Sequence, residues 1–184
     1  EGNHNVSLYA NDSAGNLVFS SVTFTIDSSN PGSNFSSGSV VSGRNQSATS
    51  IFVNVSVSES NEQAIVFNLF YTNGTLVNRS QFTNQQRTIN WTGLIDEDYH
   101  FNVSVNDSAG NTASASTRVV TIDTITPLLN LSVGTTSANI NKSTSTIFVN
   151  ISVTEQNEHT VSFNLYSSDG NLINMSLFSD KPGE

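Results

Sequence analysis

The chain has 184 residues, a formal net charge of -9 and only six lysines and arginines, a balance that argues against nucleic acid or an anionic membrane surface as partner, because both select for clustered Lys and Arg. It contains no cysteine, which excludes disulfides and thiol chemistry and leaves the cellular compartment open. No apolar run approaches the roughly 20 residues of a membrane span and no charged-then-apolar leader opens the sequence, so no membrane contact is expected within this segment, and any export signal or anchor is expected outside it.

Residues 4–31, HNVSLYANDSAGNLVFSSVTFTIDSSNP, carry two runs that alternate apolar with polar on either side of the hexapeptide NDSAGN. Alternation with period two puts one set of side chains on one face of a strand. Gly15 supplies the positive φ that a tight connection needs, with Asp and Asn beside it as local turn formers. The pattern predicts a β-hairpin, and a two-stranded hairpin, marginal in water, needs a partner sheet. Residues 28–34, SSNPGSN, read as a linker.

Residues 32–127 read as seven short strands near 35–41, 49–58, 65–71, 75–82, 87–91, 99–106 and 116–123, with no helical stretch. Their closing part, YHFNVSVNDSAGNTASASTRVVTIDTITP at 99–127, repeats the opening pattern. Phe101, Val103 and Val105 share one face, NDSAGN returns at 106–111, and Val120 and Ile122 match Phe24 and Ile26. Residues 27–31 and 123–127 each end on a proline, which cannot donate to a sheet ladder and ends the strand.

Residues 51–82 recur at 147–178 with 17 of 32 positions identical at an offset of 96. The expected organisation is therefore 1–31 as the C-terminal hairpin of a partial repeat plus linker, 32–127 as one complete repeat, and 128–184 as the N-terminal part of a further repeat. Positions that stay apolar between copies mark the core: Ile51, Val53, Val55 and Val57 match Ile147, Val149, Ile151 and Val153, and Ile65, Phe67 and Leu69 match Val161, Phe163 and Leu165. Val66 becomes Ser162, as expected of an outward position. Strands at this spacing with Asn, Gly and Ser turns predict an all-β fold of tandem sandwiches.

Leu94, then Tyr99 heading a strand that reads YHFNVSV, then NDSAGN, then VVTID and a proline linker, together resemble the closing half of bacterial and archaeal immunoglobulin-like repeats, relatives in shape of fibronectin type III and cadherin modules. The resemblance implies immunoglobulin-like β-sandwiches in tandem and gives Tyr99 the role of a tyrosine corner, its hydroxyl bonding backbone upstream; His4 stands at the matching place of the first copy. It also implies that the loops at 59–62 and 106–111 meet the preceding linker at one end of the sandwich. Asp27, Glu59, Glu62 and Asp107 would then share one junction, and Asp96, Asp98, Asp123, Glu155 and Glu158 the next. Calcium takes six to eight oxygens, and in cadherin-like arrays such junction calcium stiffens the hinge. Calcium is the one cofactor expected.

The pattern Asn-X-Ser/Thr occurs at Asn5, Asn11, Asn34, Asn45, Asn54, Asn73, Asn78, Asn90, Asn102, Asn106, Asn130, Asn141, Asn150 and Asn174, making each a candidate N-glycosylation site on an exported chain. Asn54, Asn102 and Asn150 fall on the outward side of strands whose other side is apolar. Trp91, with Tyr71 or Tyr166, reads either as sheet packing or as a sugar-stacking platform. His4, His100 and His159 have no partner at informative spacing, so no catalytic residue is assigned and no enzyme is expected.

The expected function is a non-catalytic stalk or spacer in an extracellular cell-surface glycoprotein or adhesin. Two alternatives stand beside it: a filament subunit assembled head to tail by strand complementation between the partial terminal repeats, and a carbohydrate-binding module. Neighbouring immunoglobulin-like repeats in the same or an adjacent chain are the expected partners, with a cell-surface glycan or protein as ligand.

Overall fold

Alternating patterns of the kind just described bury one face of a strand only if a second sheet covers it, and in the middle of this chain one does. The computed structural model describes residues 1–179; residues 180–184, the end of the expected third part, lie outside it. The described residues are strands and loops without a helix, and they divide into two units, Glu1–Thr124 and the part from Ile125 onward.

In the first unit, β1 (Gly2–Asn11) and β2 (Leu17–Ile26) form an antiparallel hairpin. Its register pairs His4 with Phe24, Val6 with Val22, Leu8 with Ser20 and Ala10 with Val18, so one face is mostly apolar. That face is open: Val6, Leu8 and Val22 are 53%, 70% and 59% exposed.

The complete repeat follows as β3 (Gly32–Phe35), β4 (Arg44–Gln46), β5 (Ser50–Ser58), β6 (Glu62–Tyr71), β7 (Leu76–Phe82), β8 (Thr88–Thr92), β9 (Glu97–Asp107), β10 (Thr112–Ser114) and β11 (Arg118–Ile122). One sheet runs β3-β5-β8; the other runs β4-β11-β9-β6-β7, with β10 also paired to β9. All pairings are antiparallel except β4 with β11. This is an immunoglobulin- or fibronectin III-like β-sandwich.

The expected strand at 35–41 differs. β3 ends at Phe35, and the chain turns at Gly38, whose φ of 91° is open to glycine. Ser39 then accepts a hydrogen bond from the Asn54 N–H at 2.7 Å. This turn lets the chain leave the sheet of β5 and reach the opposite sheet as β4.

The core follows the period-two pattern closely. On β9, Tyr99, Phe101, Val103 and Val105 are buried and their intervening neighbours half-buried. Beside them on β6 lie Leu69 opposite Phe101, Phe67 opposite Val103 and Ile65 opposite Val105. Phe101 joins the two sheets: it meets Phe35 of β3 edge-on at 5.5 Å and Trp91 of β8 at 6.1 Å. Val66 points to the other face, as expected, yet is only 6% exposed, because β6 is interior to its sheet and Gln81 and Ser104 flank it. The Tyr99 hydroxyl donates to the Ile95 carbonyl at 3.1 Å, forming the corner that the resemblance implies.

The second unit holds β12 (Leu128–Leu131) paired with β13 (Ile151–Thr154), and β14 (Thr160–Tyr166) paired with β15 (Leu172–Ser179). It copies the complete repeat locally: Val161 pairs with Phe178 as Ile65 pairs with Phe82, and both hairpins have a register shift at the equivalent place, Leu165/Tyr166 and Leu69/Phe70. One difference is informative. The tetrapeptide IFVN is part of a strand at 51–54, where it pairs with β8, and lies outside any strand at 147–150, where its backbone is held instead by Ser132, Thr135 and Thr136.

Truncating Phe101→Ala removes both inter-sheet ring contacts and should cost about 3–5 kcal/mol, whereas Tyr99→Phe, which deletes one hydrogen bond, should cost about 1 kcal/mol. Equilibrium urea unfolding of the two variants reads the difference, and equal costs would mean that the sheets are not joined through Phe101.

Candidate functional site

In the NDSAGN stretch that joins β9 to β10, Asp107 is a fully buried carboxylate at the end of β9. It caps its own turn: Oδ1 accepts from the Ala109 and Asn111 backbone N–H groups, both at 2.9 Å, and Oδ2 accepts from Asn111 Nδ2 at 2.8 Å. This is the Asx-type arrangement that makes Asp a turn former. Gly110, at a φ of 97°, completes the loop. The donated hydrogen bonds, led by the Asn111 side chain, hold the Asp107 carboxyl below the usual carboxylate range against the opposing effect of burial. Asp12 repeats the geometry in the exposed hairpin, with Asn16 Nδ2 at 2.6 Å, and is lowered for the same reason.

Asp27, Glu59 and Asp107 come together, with a carboxylate oxygen from each within 4.8 Å of the others; among the described residues this is the one such grouping. Asp27 arrives from the end of β2. Asn111 Nδ2 donates to the Asp27 carbonyl and Asn61 Nδ2 to its carboxylate, each at 3.1 Å. Glu59 accepts from the Asn61 N–H at 2.8 Å, and Asp27 from the Ser29 N–H at 3.0 Å. The arrangement concentrates negative charge and oxygen donors where the linker enters the sandwich.

Glu62, expected in the same group, is engaged elsewhere. Its side chain, 2% exposed, takes both terminal nitrogens of Arg87, at 2.9 and 2.5 Å. A buried carboxylate keeps its charge only when paired in this way. Of the acids expected at the next junction, Asp98 accepts from the Thr121 hydroxyl and Asp96 from the Thr124 hydroxyl at 2.9 Å. Asp123 donates its backbone N–H to the Gln46 carbonyl at 3.0 Å. In the second unit Glu155 accepts from the Asn157 N–H at 2.9 Å, and Glu158 is exposed in the loop before β14.

The sugar-stacking reading of Trp91 is overturned. The indole is 6% exposed, lies against Phe101, and donates to Asn78 Oδ1 at 3.0 Å. Tyr71 is half-buried against Tyr99, with ring centroids 5.4 Å apart, while Tyr166 belongs to the second unit and is exposed. The histidines are separate: His4 stacks on Phe24 at 5.7 Å, His100 lies mid-strand opposite Phe70, and His159 is exposed.

The candidate glycosylation sites sort by exposure. Asn5, Asn11, Asn34, Asn45, Asn73, Asn78, Asn90, Asn130, Asn141, Asn150 and Asn174 are exposed; Asn54, Asn102 and Asn106 are half-buried. The side-chain nitrogens of Asn54 and Asn150, where a sugar would attach, donate to the Ser37 and Val133 carbonyls at 3.0 Å, and that of Asn106 to Gln63 at 2.7 Å.

Three residues escaped the sequence reading. Asn61 and Asn111 tie Asp27 to the sandwich, and only the return of NDSAGN, with its acid and its closing asparagine, hints at the second of them. Arg87 lies 25 residues from Glu62, a separation that carries no periodic signal.

No family model matches the chain, and no curated protein sequence is similar to it. Solved structures are similar at low identity. The fibronectin(III)-like modules of Clostridium thermocellum CbhA align over 83% of this chain and 80% of theirs at 17% identity and a TM-score of 0.42. An engineered protein aligns over 50% of this chain at 19% identity and a TM-score of 0.39. Dimeric latent PorU from Porphyromonas gingivalis aligns over 66% at 17% identity and a TM-score of 0.38. The matched regions span 20% of the engineered protein and 12% of PorU.

Because the folded-state carboxyl of Asp107 is lowered, it stabilises the fold above the ordinary carboxylate value of about 3.9, and this contribution disappears as pH falls through the lower folded-state value. Melting temperature should therefore drop with acidification below about pH 4, and Asp107→Asn should flatten that dependence. An unchanged acid profile in the variant would assign the pH dependence to other groups.

Proposed function

We propose that the chain is part of a non-catalytic spacer: a tandem array of immunoglobulin-like sandwiches that sets the distance of another segment from a cell surface. The observation that supports this reading is serial copying. One self-contained sandwich occupies the middle of the chain, and its β6–β7 register and Asp-capped turn recur at a period close to 96 residues on either side. A repeated unit with its own core adds length with each copy and needs no shared site. Strands of about ten residues at about 3.3 Å each make a module about 35 Å long, and proline-containing linkers restrain the joints.

An extracellular, glycosylated setting accords with the surface. Charge is low outside the acids, and exposed sequons such as Asn73 and Asn90 offer attachment points away from the core. The scattering experiment is a series of one, two and three tandem copies of residues 32–127. The maximum dimension should grow by roughly 35 Å per copy; growth as the cube root of mass would defeat the spacer reading.

A second element is favoured by the grouping of Asp27, Glu59 and Asp107. Their carboxylates, with nearby carbonyls, suit a hard cation such as calcium, which takes oxygen ligands, and an ion there would stiffen the first junction. Millimolar calcium should raise the melting temperature relative to chelator, and Asp27→Asn should remove the increment; identical melts with and without calcium would dismiss the ion.

A further inference from the structure

Phe52 stands where the period-two pattern calls for a polar residue. On β5 the buried Ile51, Val53 and Val55 alternate with Ser50, Phe52, Asn54 and Ser56, so the outward row is polar except for one ring, which is 39% exposed. Its cross-strand partner is Asn90 on β8. The Val55 N–H donates to the Arg87 carbonyl at 2.9 Å, and the Phe52 carbonyl accepts from the Val40 N–H on the other flank of β5. Phe52 and Asn90 are therefore a non-hydrogen-bonded pair, the kind whose side chains stand closest, with Cβ atoms roughly 5 Å apart. Gly38 backs the Phe52 ring on the flank away from β8, where an added Cβ would lie 3.6 Å from Cε1. The flank toward β8 is left to whatever Asn90 carries.

Asn90 opens the sequon Asn90-Trp91-Thr92. Because side chains alternate along a strand, Trp91 enters the core while Asn90 and Thr92 are both exposed, and the acceptor amide and the sequon hydroxyl share the surface of the folded chain. The Asn90 side chain has no hydrogen bond to any described residue. Its neighbours on this face differ: Asn54 Nδ2 is bound to the Ser37 carbonyl, and Asn34 faces Ser56 instead of a ring.

We propose that Asn90 carries an N-linked glycan whose first sugar ring lies against Phe52. The assignment rests on the reading of the chain as an exported glycoprotein and deepens it by naming one site and the contact that the sugar makes there. Attachment joins Asn90 Nδ2 to the anomeric carbon of a lipid-phosphate-activated saccharide. The anomeric C–O bond breaks, the lipid phosphate leaves with the electron pair, and Nδ2 gives up one proton. The C–H side of the sugar then covers an aromatic surface that is otherwise wet, while its hydroxyls stay in water. The contact belongs to the complete repeat alone, since Phe52, Gly38 and Asn90 all lie within residues 32–127.

Glycopeptide mass spectrometry of the protein from its natural host should find saccharide on Asn90. In the glycosylated chain, proton NMR should show signals of the first sugar shifted upfield by the Phe52 ring, and Phe52→Leu, which keeps an apolar side chain without the ring, should return them to ordinary positions. Urea unfolding followed by the fluorescence of Trp91, the single tryptophan, reads the complete repeat. The sugar should raise its folding equilibrium constant about two- to tenfold over Asn90→Gln, the range of other cross-strand contacts of an aromatic ring, and the gain should vanish in the Phe52→Leu background. An unmodified Asn90 would overturn the proposal, as would a sugar with unshifted protons and the same gain in both backgrounds. Saccharide on other sequons with Asn90 bare would sink this site and leave the glycosylated setting standing; a chain without any saccharide would remove both. Neither result touches the spacer geometry, which scattering decides.

Discussion

The sandwich depends on the Phe101 ring lying between two sheets that have no backbone hydrogen bonds to each other. Backbone hydrogen bonds act along a sheet, so attraction across the gap comes from side chains, chiefly apolar burial at about 1.5–3 kcal/mol for each large side chain removed from water, with polar links such as Trp91 to Asn78 beside it. Phe101 brings Phe35 and Trp91 of the opposite sheet into edge contacts, adding about 0.5–1.5 kcal/mol for each aromatic pair. Tyr99, two residues earlier on the same face, anchors the head of that strand through Ile95. Where no second sheet covers the strands among the described residues, as beside β1 and β2, the same alternating pattern leaves its apolar side chains exposed.

Turn chemistry behaves differently, because it is local. Asp12 and Asp107 make the same set of hydrogen bonds to their loops, although one is exposed and the other fully buried. The motif therefore needs no tertiary support to form. In the complete repeat it gains a second task, because Asn111, already bound to Asp107, also reaches the Asp27 carbonyl. A loop that closes a hairpin thus also receives the incoming linker, which places three carboxylates at the entrance to the sandwich.

Much of the fold was legible in the residues. Ile51, Val53, Val55, Ile65, Phe67 and Leu69 are all buried, as their persistence between copies implied, because period two and an apolar face are enough to orient a strand. The site was less legible. Glu62 has the composition of a metal ligand and is the partner of Arg87; Trp91 has the composition of a sugar platform and is core. In both cases the residue type allowed two environments, and only a neighbour distant in the chain decided between them.

The amino-acid order alone determined the repeat, which appears when the chain is compared with itself, and the strand faces and NDSAGN turns, which arise from residues within a few positions of one another. The tertiary structure alone decided which faces are covered, which carboxylates meet and whether a segment becomes a strand at all. IFVN makes the point: identical at 51–54 and 147–150, it is paired strand only where β8 lies beside it. A strand's hydrogen bonds are made to another segment, so its own residues cannot complete it.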